Sequence, residues 1–120
     1  MKKIFLFIFI FLNFHSVSLA ENLKFEKIAS LDKPWGSSFI TNDEIIITEK
    51  SGKIKIVNIL TGDLVEIEHN LNFLEYGQGG LLDILHKDNF IYISYTENRT
   101  NWKTSTSIAK AKLDKQNLLF

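Results

Sequence analysis

Between residues 35 and 68, hydrophobic positions fall into four short runs separated by turn residues, and in the last two apolar and polar side chains alternate. Trp35 to Ile40 is the first, and Thr41-Asn42-Asp43 supplies turn chemistry after it. Glu44 to Glu49 holds the β-branched series Ile45, Ile46, Ile47 and Thr48, and Ser51-Gly52 punctuates it. In Lys53 to Asn58, Ile54 and Ile56 oppose Lys53 and Lys55. After the turn Thr61-Gly62-Asp63, the run Leu64 to Glu68 sets Val65 and Ile67 against Glu66 and Glu68. Period-two alternation with β-branched residues predicts strands. Several short strands spaced roughly 8–12 residues apart predict a sandwich, a barrel or a propeller blade. Pairing in chain order is the cheapest topology, so the four runs form an antiparallel meander.

The pattern then restarts. Residues 69 to 77 form a longer connection whose Leu71, Phe73, Leu74 and Tyr76 predict a packed loop. Gly80 to Leu85 reads as a buried strand and Lys87-Asp88-Asn89 as a turn. Phe90 to Tyr95 places Ile91, Ile93 and Tyr95 opposite Tyr92 and Ser94. Thr96 to Lys103 is polar and predicts a loop, Ser105 to Leu113 another strand, and Asp114-Lys115-Gln116 a turn. Leu118 to Phe120 would begin a fourth strand. Ahead of Pro34, Leu23 to Ile28 is a short strand-like run. The offset from Trp35 to about Gly80 matches the ~40–45-residue repeat of a propeller blade. The fold class is therefore all-β: antiparallel four-stranded blades of a β-propeller, here about one and a half to two of them. A closed ring needs at least about four blades, or roughly 160 residues, so the expectation is a truncated arc or a smaller sandwich.

The first 20 residues belong to a different plan. Met1-Lys2-Lys3 precedes the apolar run Ile4 to Leu12, and Ser18-Leu19-Ala20 sets small residues at the −3 and −1 positions of a cleavage site. A basic start, a short apolar core and a small-x-small end predict a secretory signal peptide cleaved after Ala20. The run is shorter than the about 20 residues a membrane span needs. The expected location is periplasmic or secreted, with no membrane attachment after cleavage and residues 21–120 as the domain.

Without the leader, 12 basic side chains face 14 acidic ones. That balance carries no footprint for nucleic acid. There is no cysteine, which removes thiolate metal sites, cysteine nucleophiles and a disulfide scaffold. His69 and His86 are the two remaining imidazoles, and neither has metal-ligand spacing.

The candidate chemistry lies in Tyr76 to Asp83, Y-G-Q-G-G-L-L-D. Gly77, Gly79 and Gly80 flank one amide, Gln78. Glycine reaches positive φ and lets a ligand or another backbone come close. Gln78 brings two donors and an acceptor oxygen. Such a loop suits the wall of a polar ligand site, and equally a tight turn entering a buried strand with Gln78 solvated.

Four blocks in order, Lys33-Pro34-Trp35-Gly36, Ile47-Thr48-Glu49-Lys50-Ser51-Gly52-Lys53-Ile54, Gly77-Gln78-Gly79-Gly80-Leu81-Leu82-Asp83 and Tyr92-Ile93-Ser94-Tyr95, resemble the start of the soluble glucose/sorbosone dehydrogenases. Among these the likeness is greatest to bacterial periplasmic aldose sugar dehydrogenases. The resemblance covers about residues 30 to 113. It implies a six-bladed propeller that binds pyrroloquinoline quinone (PQQ) with calcium and oxidises the C1 hydroxyl of an aldose to a lactone, passing electrons to an external acceptor. It implies that Gln78 faces sugar and quinone, with Gly77, Gly79 and Gly80 as its scaffold and Asp83 in a structural role. The family's catalytic histidine, quinone-clamping basic residues and calcium ligands would fall after Phe120, so neither a catalytic nor a metal-binding residue is assigned here. His86 is then a surface turn residue and His69 solvated. Arg99 and Trp102 sit in the polar loop, and Asn98-Arg99-Thr100 fits a glycosylation sequon. The rival expectation is an exported non-catalytic module that binds carbohydrate or protein through Tyr92, Tyr95 and Trp102.

Overall fold

A computed structural model describes residues 23–100, 103–114 and 116–120 of the chain. The expected leader and Trp102 lie outside the described residues. Nine strands account for the regular structure there: β1 (Pro34–Phe39), β2 (Glu44–Glu49), β3 (Ile54–Asn58), β4 (Leu64–His69), β5 (Leu81–Lys87), β6 (Phe90–Asn98), β7 (Thr104–Ala111), β8 (Leu113–Asp114) and β9 (Asn117–Leu118).

The first four pair antiparallel in chain order, as the alternation predicts. Thr48, Ile54 and Ile67 face each other across β2, β3 and β4, and Ile46 stands opposite Ile56. That face turns to the second sheet, β5-β6-β7, which contributes Leu81, Ile84, Ile91, Ile93, Tyr95 and Ala111 to one shared core. Ile46, Ile54, Leu81 and Ile93 are wholly buried there. Each such side chain contributes roughly 1.5–3 kcal/mol by leaving water, so this stripe is what holds the two sheets face to face. At the seam β5 packs against β1 and β2. The arrangement is one complete four-stranded blade followed by three strands of the next.

Gly36 and Asp83 mark the closest approach across that seam. A Cβ on Gly36 would lie 2.6 Å from Asp83 Cα and 2.8 Å from Ile84 N. β5 carries a register irregularity between Leu81 and Ile84, where Asp83 is displaced from the ladder. Its carboxylate Oδ1 accepts from the Ile84 N–H at 2.9 Å, and its own N–H donates to Ser94 Oγ at 3.0 Å. The aspartate thus completes the backbone bonding of a bulge, the device that bends a strand locally.

Several expectations need correction. Leu23 to Ile28 is not a strand: it makes no ladder pairing among the described residues, and Leu23 and Phe25, 79% and 94% exposed, bury no apolar face that would hold it to a sheet. Thr96 to Asn98 continue β6 instead of opening a loop, because each faces a residue of β7, with Asn98 opposite Thr104. The final run does not extend the second sheet. β9 pairs parallel with β4 and antiparallel with β8, and Leu118 is fully buried against the common core. The unpaired edge of β4 supplies the backbone donors, among them Glu68 N–H to Gln116 O at 2.9 Å. His86 lies within β5, half-buried, with its N–H donating to Ser38 Oγ at 3.0 Å. The turn is Asp88-Asn89, whose φ angles of +52° and +62° fit the two-residue hairpin loop that Asn and Asp favour. Tyr95 is only 9% exposed, which removes it from any aromatic contact surface.

Candidate functional site

One end of the two sheets gathers the N-terminus of β1, the β2–β3 corner, the β4–β5 connection and the β6–β7 turn. Three of the four sequence blocks meet there. The corner Glu49 to Lys53 is closed by Glu49 N–H to Lys53 O at 2.7 Å and Gly52 N–H to Glu49 O at 2.9 Å. It is fastened from behind by Glu49, a fully buried carboxylate. Glu49 Oε1 accepts from Lys55 Nζ at 2.7 Å and from the Asp32 N–H at 2.8 Å. Burial by itself pushes this carboxyl up, but the bonds from Lys55 and Asp32 and the charges of Lys55 and Lys53 outweigh it and hold it below its ordinary value.

Thr48, also fully buried, ties three strands together through one hydroxyl. It accepts from the Gly36 N–H at 3.0 Å and donates to Leu82 O. His69 is not solvated. Its Nδ1 accepts from the Leu71 N–H at 3.2 Å, so the proton sits on Nε2 and is donated to Gly52 O at 2.6 Å. Phe73 packs at 5.9 Å from the imidazole and lies directly over Gly52.

On this corner rests the loop that carries Gln78. The Gly79 N–H donates to Tyr76 O at 2.7 Å, closing a β-turn with Gly77 and Gln78 at its centre. Gly77 has φ +56° and Gln78 is not among the positive-φ residues. A positive φ at the first central position alone defines a type II′ turn, which calls for glycine there. Gly80, at φ +146°, brings its backbone onto Lys50: an added Cβ would stand 2.2 Å from Lys50 O. The Lys50 ammonium reaches back and donates to Gly77 O. On the other side Thr96 N–H donates to Gly80 O at 2.9 Å.

Gln78 is exposed and helps line a depression of about 460 Å³ with Tyr76, Leu82, Thr96, Thr104 and Thr106. A second depression, about 640 Å³, adjoins it between Leu74, Glu75, Tyr76 and Thr104. The amide and the hydroxyl-bearing side chains of this lining can each donate and accept, the chemistry that contact with a polyol needs. Beyond the rim, Glu97 accepts from Ser107 Oγ at 2.8 Å and Arg99 Nε at 3.0 Å; these bonds hold its carboxyl below the usual range. Arg99 is thus committed to an ion pair at the end of β6. His86 lines a separate hollow with Ile40, Thr41 and Glu44 at the opposite end of the sheets. No three His, Cys, Asp or Glu side chains come together to hold a metal among the described residues.

The model of the family described as Glucose / Sorbosone dehydrogenase matches residues 31–119. The chain belongs to that family. It is 32% identical over 104 residues to an uncharacterised protein of Synechocystis, across 76% of this chain and 25% of that one. Among solved structures it superposes on a glucose dehydrogenase with TM-score 0.68 and 26% identity, covering 74% of this chain and 30% of the other. The soluble aldose sugar dehydrogenase of Escherichia coli, in its apo form, gives TM-score 0.65 at 25% identity over 73% and 28%. A PQQ-bound aldose sugar dehydrogenase of Streptomyces coelicolor shares the fold, with TM-score 0.66 at 22% identity over 75% and 28%. The chain therefore spans between a quarter and a third of the length of these relatives. Its two sheets correspond to consecutive blades of the β-propeller on which this dehydrogenase family is built. Within the family match, Lys50, Thr48 and Glu49 are the residues whose roles sequence reasoning missed. Their block was visible as T-E-K-S-G, but nothing in it said what they would hold.

Proposed function

We propose that this chain forms the substrate-facing opening blades of a quinoprotein that oxidises the C1 hydroxyl of aldose sugars to lactones. The observation that carries the reading is Gln78, exposed at the tip of a braced turn and set beside a hydroxyl-lined depression. An amide in that place holds a sugar hydroxyl through both its donor and its acceptor.

The residues here fit one side of a PQQ site. Gln78 would hold the quinone's or the sugar's oxygens, and the Thr96, Thr104 and Thr106 hydroxyls would meet the remaining sugar hydroxyls. Bound PQQ would supply the hydride acceptor, and the electrons would leave to an external acceptor. Calcium would have to be held by other residues, since no acidic cluster forms among those described. This chain's own contribution is to bind and orient. His69 is engaged with Gly52 and Leu71, and His86 lies at the far end, so neither reaches a sugar beside Gln78 as a base.

Residues 21–120 alone accordingly should not reduce a dye with PQQ, calcium and D-glucose. The protein carrying this chain, reconstituted with both, should do so, and Gln78→Ala should lower kcat/KM about tenfold or more, the loss of one strong polar contact. An active Gln78→Ala enzyme with unchanged kcat/KM would refute the assignment. The leader-like pattern of residues 1–20 supports a periplasmic or secreted location, which fractionation of expressing cells tests directly.

A further inference from the structure

The Gln78 turn is flanked by glycines on both sides and projects at the rim, yet it is gripped at two points by one residue. Lys50 Nζ donates to Gly77 O, and Lys50 O packs against Gly80 so tightly that no side chain fits between them. Lys50 is itself held, its N–H donating to Lys33 O at 3.1 Å. The corner behind it is closed by Glu49, Lys53, Gly52 and the His69 imidazole.

The bonded carbonyl is the informative one. Gly77 C=O belongs to the central peptide of the turn, the unit joining the two middle residues. Rotating that peptide by half a turn interconverts type II′ and type I′ geometry, and it swings the bond that carries the Gln78 side chain. Glycine at position 77 imposes little barrier to that rotation. A cation bonded to the carbonyl does, because the flip would turn the oxygen away and leave the ammonium without its acceptor.

We propose that Lys50 is the positioning residue of the sugar site: its ammonium locks the central peptide of the Gln78 turn and thereby fixes where the amide stands. The proposal rests on the reading of Gln78 as a sugar contact, and adds the device that aims it. Lys50 touches no substrate in this scheme.

The test compares Lys50→Met, which keeps the stem and removes the cation, with Lys50→Arg, which restores a donor of similar reach. Lys110→Met, whose ammonium lies over the Phe90 ring on the second sheet, controls for lost charge. In 15N-labelled protein, relaxation dispersion at the Gln78 backbone amide, the N–H of the central peptide, reports whether that peptide flips. The side-chain amide signals of Gln78, followed during addition of D-glucose, report whether it meets sugar. Lys50→Met should raise the flipped population about tenfold and average the Gln78 side-chain signals, with Lys50→Arg largely restoring both and Lys110→Met changing neither. In the reconstituted enzyme, kcat/KM for D-glucose should follow the same order. An unchanged Gln78 backbone amide in Lys50→Met overturns the proposal. A flipping peptide, with wild-type Gln78 side-chain signals indifferent to D-glucose, supports the lock and overturns the sugar reading instead.

Discussion

Lys55→Met removes the one charged partner of a carboxylate that has no access to water. Glu49 is fully buried, and its Oε1 takes both available bonds, from Lys55 and from the Asp32 N–H. Its Oε2 is buried with no partner among the described residues. After the substitution the Asp32 N–H is the one hydrogen bond left to the carboxylate, helped by the more distant charge of Lys53. Breaking a buried pair in this way costs about 3–5 kcal/mol, a large part of the about 5–15 kcal/mol that holds a domain folded. Lys55 itself keeps 17% of its side chain exposed, so the reciprocal change, Glu49→Gln, leaves a cation that can reach water and should cost less. The double variant should recover much of the loss. Acidity supplies a second signature. In the wild-type fold the Glu49 carboxyl sits below its ordinary value, so its contribution is full above about pH 4.3 and is lost as pH falls through the lowered folded value. Lys55→Met has already lost the strongest of the bonds that hold the carboxyl down, so its Glu49 has less to lose on protonation. The gap between the two proteins should therefore narrow as pH drops from 7 to 3. Urea denaturation followed by tryptophan fluorescence measures both quantities. A destabilisation under about 1 kcal/mol at pH 7, or a gap that does not change with pH, would refute the argument.

Two further substitutions probe the seam and its tie. Gly36→Ala drives a Cβ to within 2.6 Å of Asp83 Cα, backbone against backbone, so the sheets must separate; about 1–3 kcal/mol of stability should go, read as a lower urea midpoint. Thr48→Val keeps the shape but leaves the Gly36 N–H and one bond to Leu82 O unmade in a buried place. It should cost about 1–3 kcal/mol, and a neutral result by the same assay would show that the hydroxyl is not the tie.

Local chemistry made much of this protein legible from its residues alone. The alternation of Ile54 and Ile56 with Lys53 and Lys55, and of Ile67 with Glu66 and Glu68, names both the strands and their inner face, because a strand's side chains alternate at period two; the unbroken Ile45-Ile46-Ile47 names a strand but not its inner face. Turn residues set the hairpins, and the Gly-Gln-Gly-Gly loop stood out because positive φ selects glycine. What no local pattern carries is which distant groups meet. Thr48 reads as one more β-branched strand residue until Gly36 and Leu82 come to it from other strands. Nothing local to Glu49 or Lys55 says that the fold will bury the carboxylate and pair the two, and His69 reads as solvated until Gly52 arrives beside it. The final leucines looked like the next strand of the second sheet, yet the free edge of β4 took them, since hydrogen-bonding vacancies are a property of the assembled sheet. Lys50 is the clearest instance: its carbonyl and its ammonium each act on a glycine some thirty positions along the chain, and only tertiary structure sets that meeting.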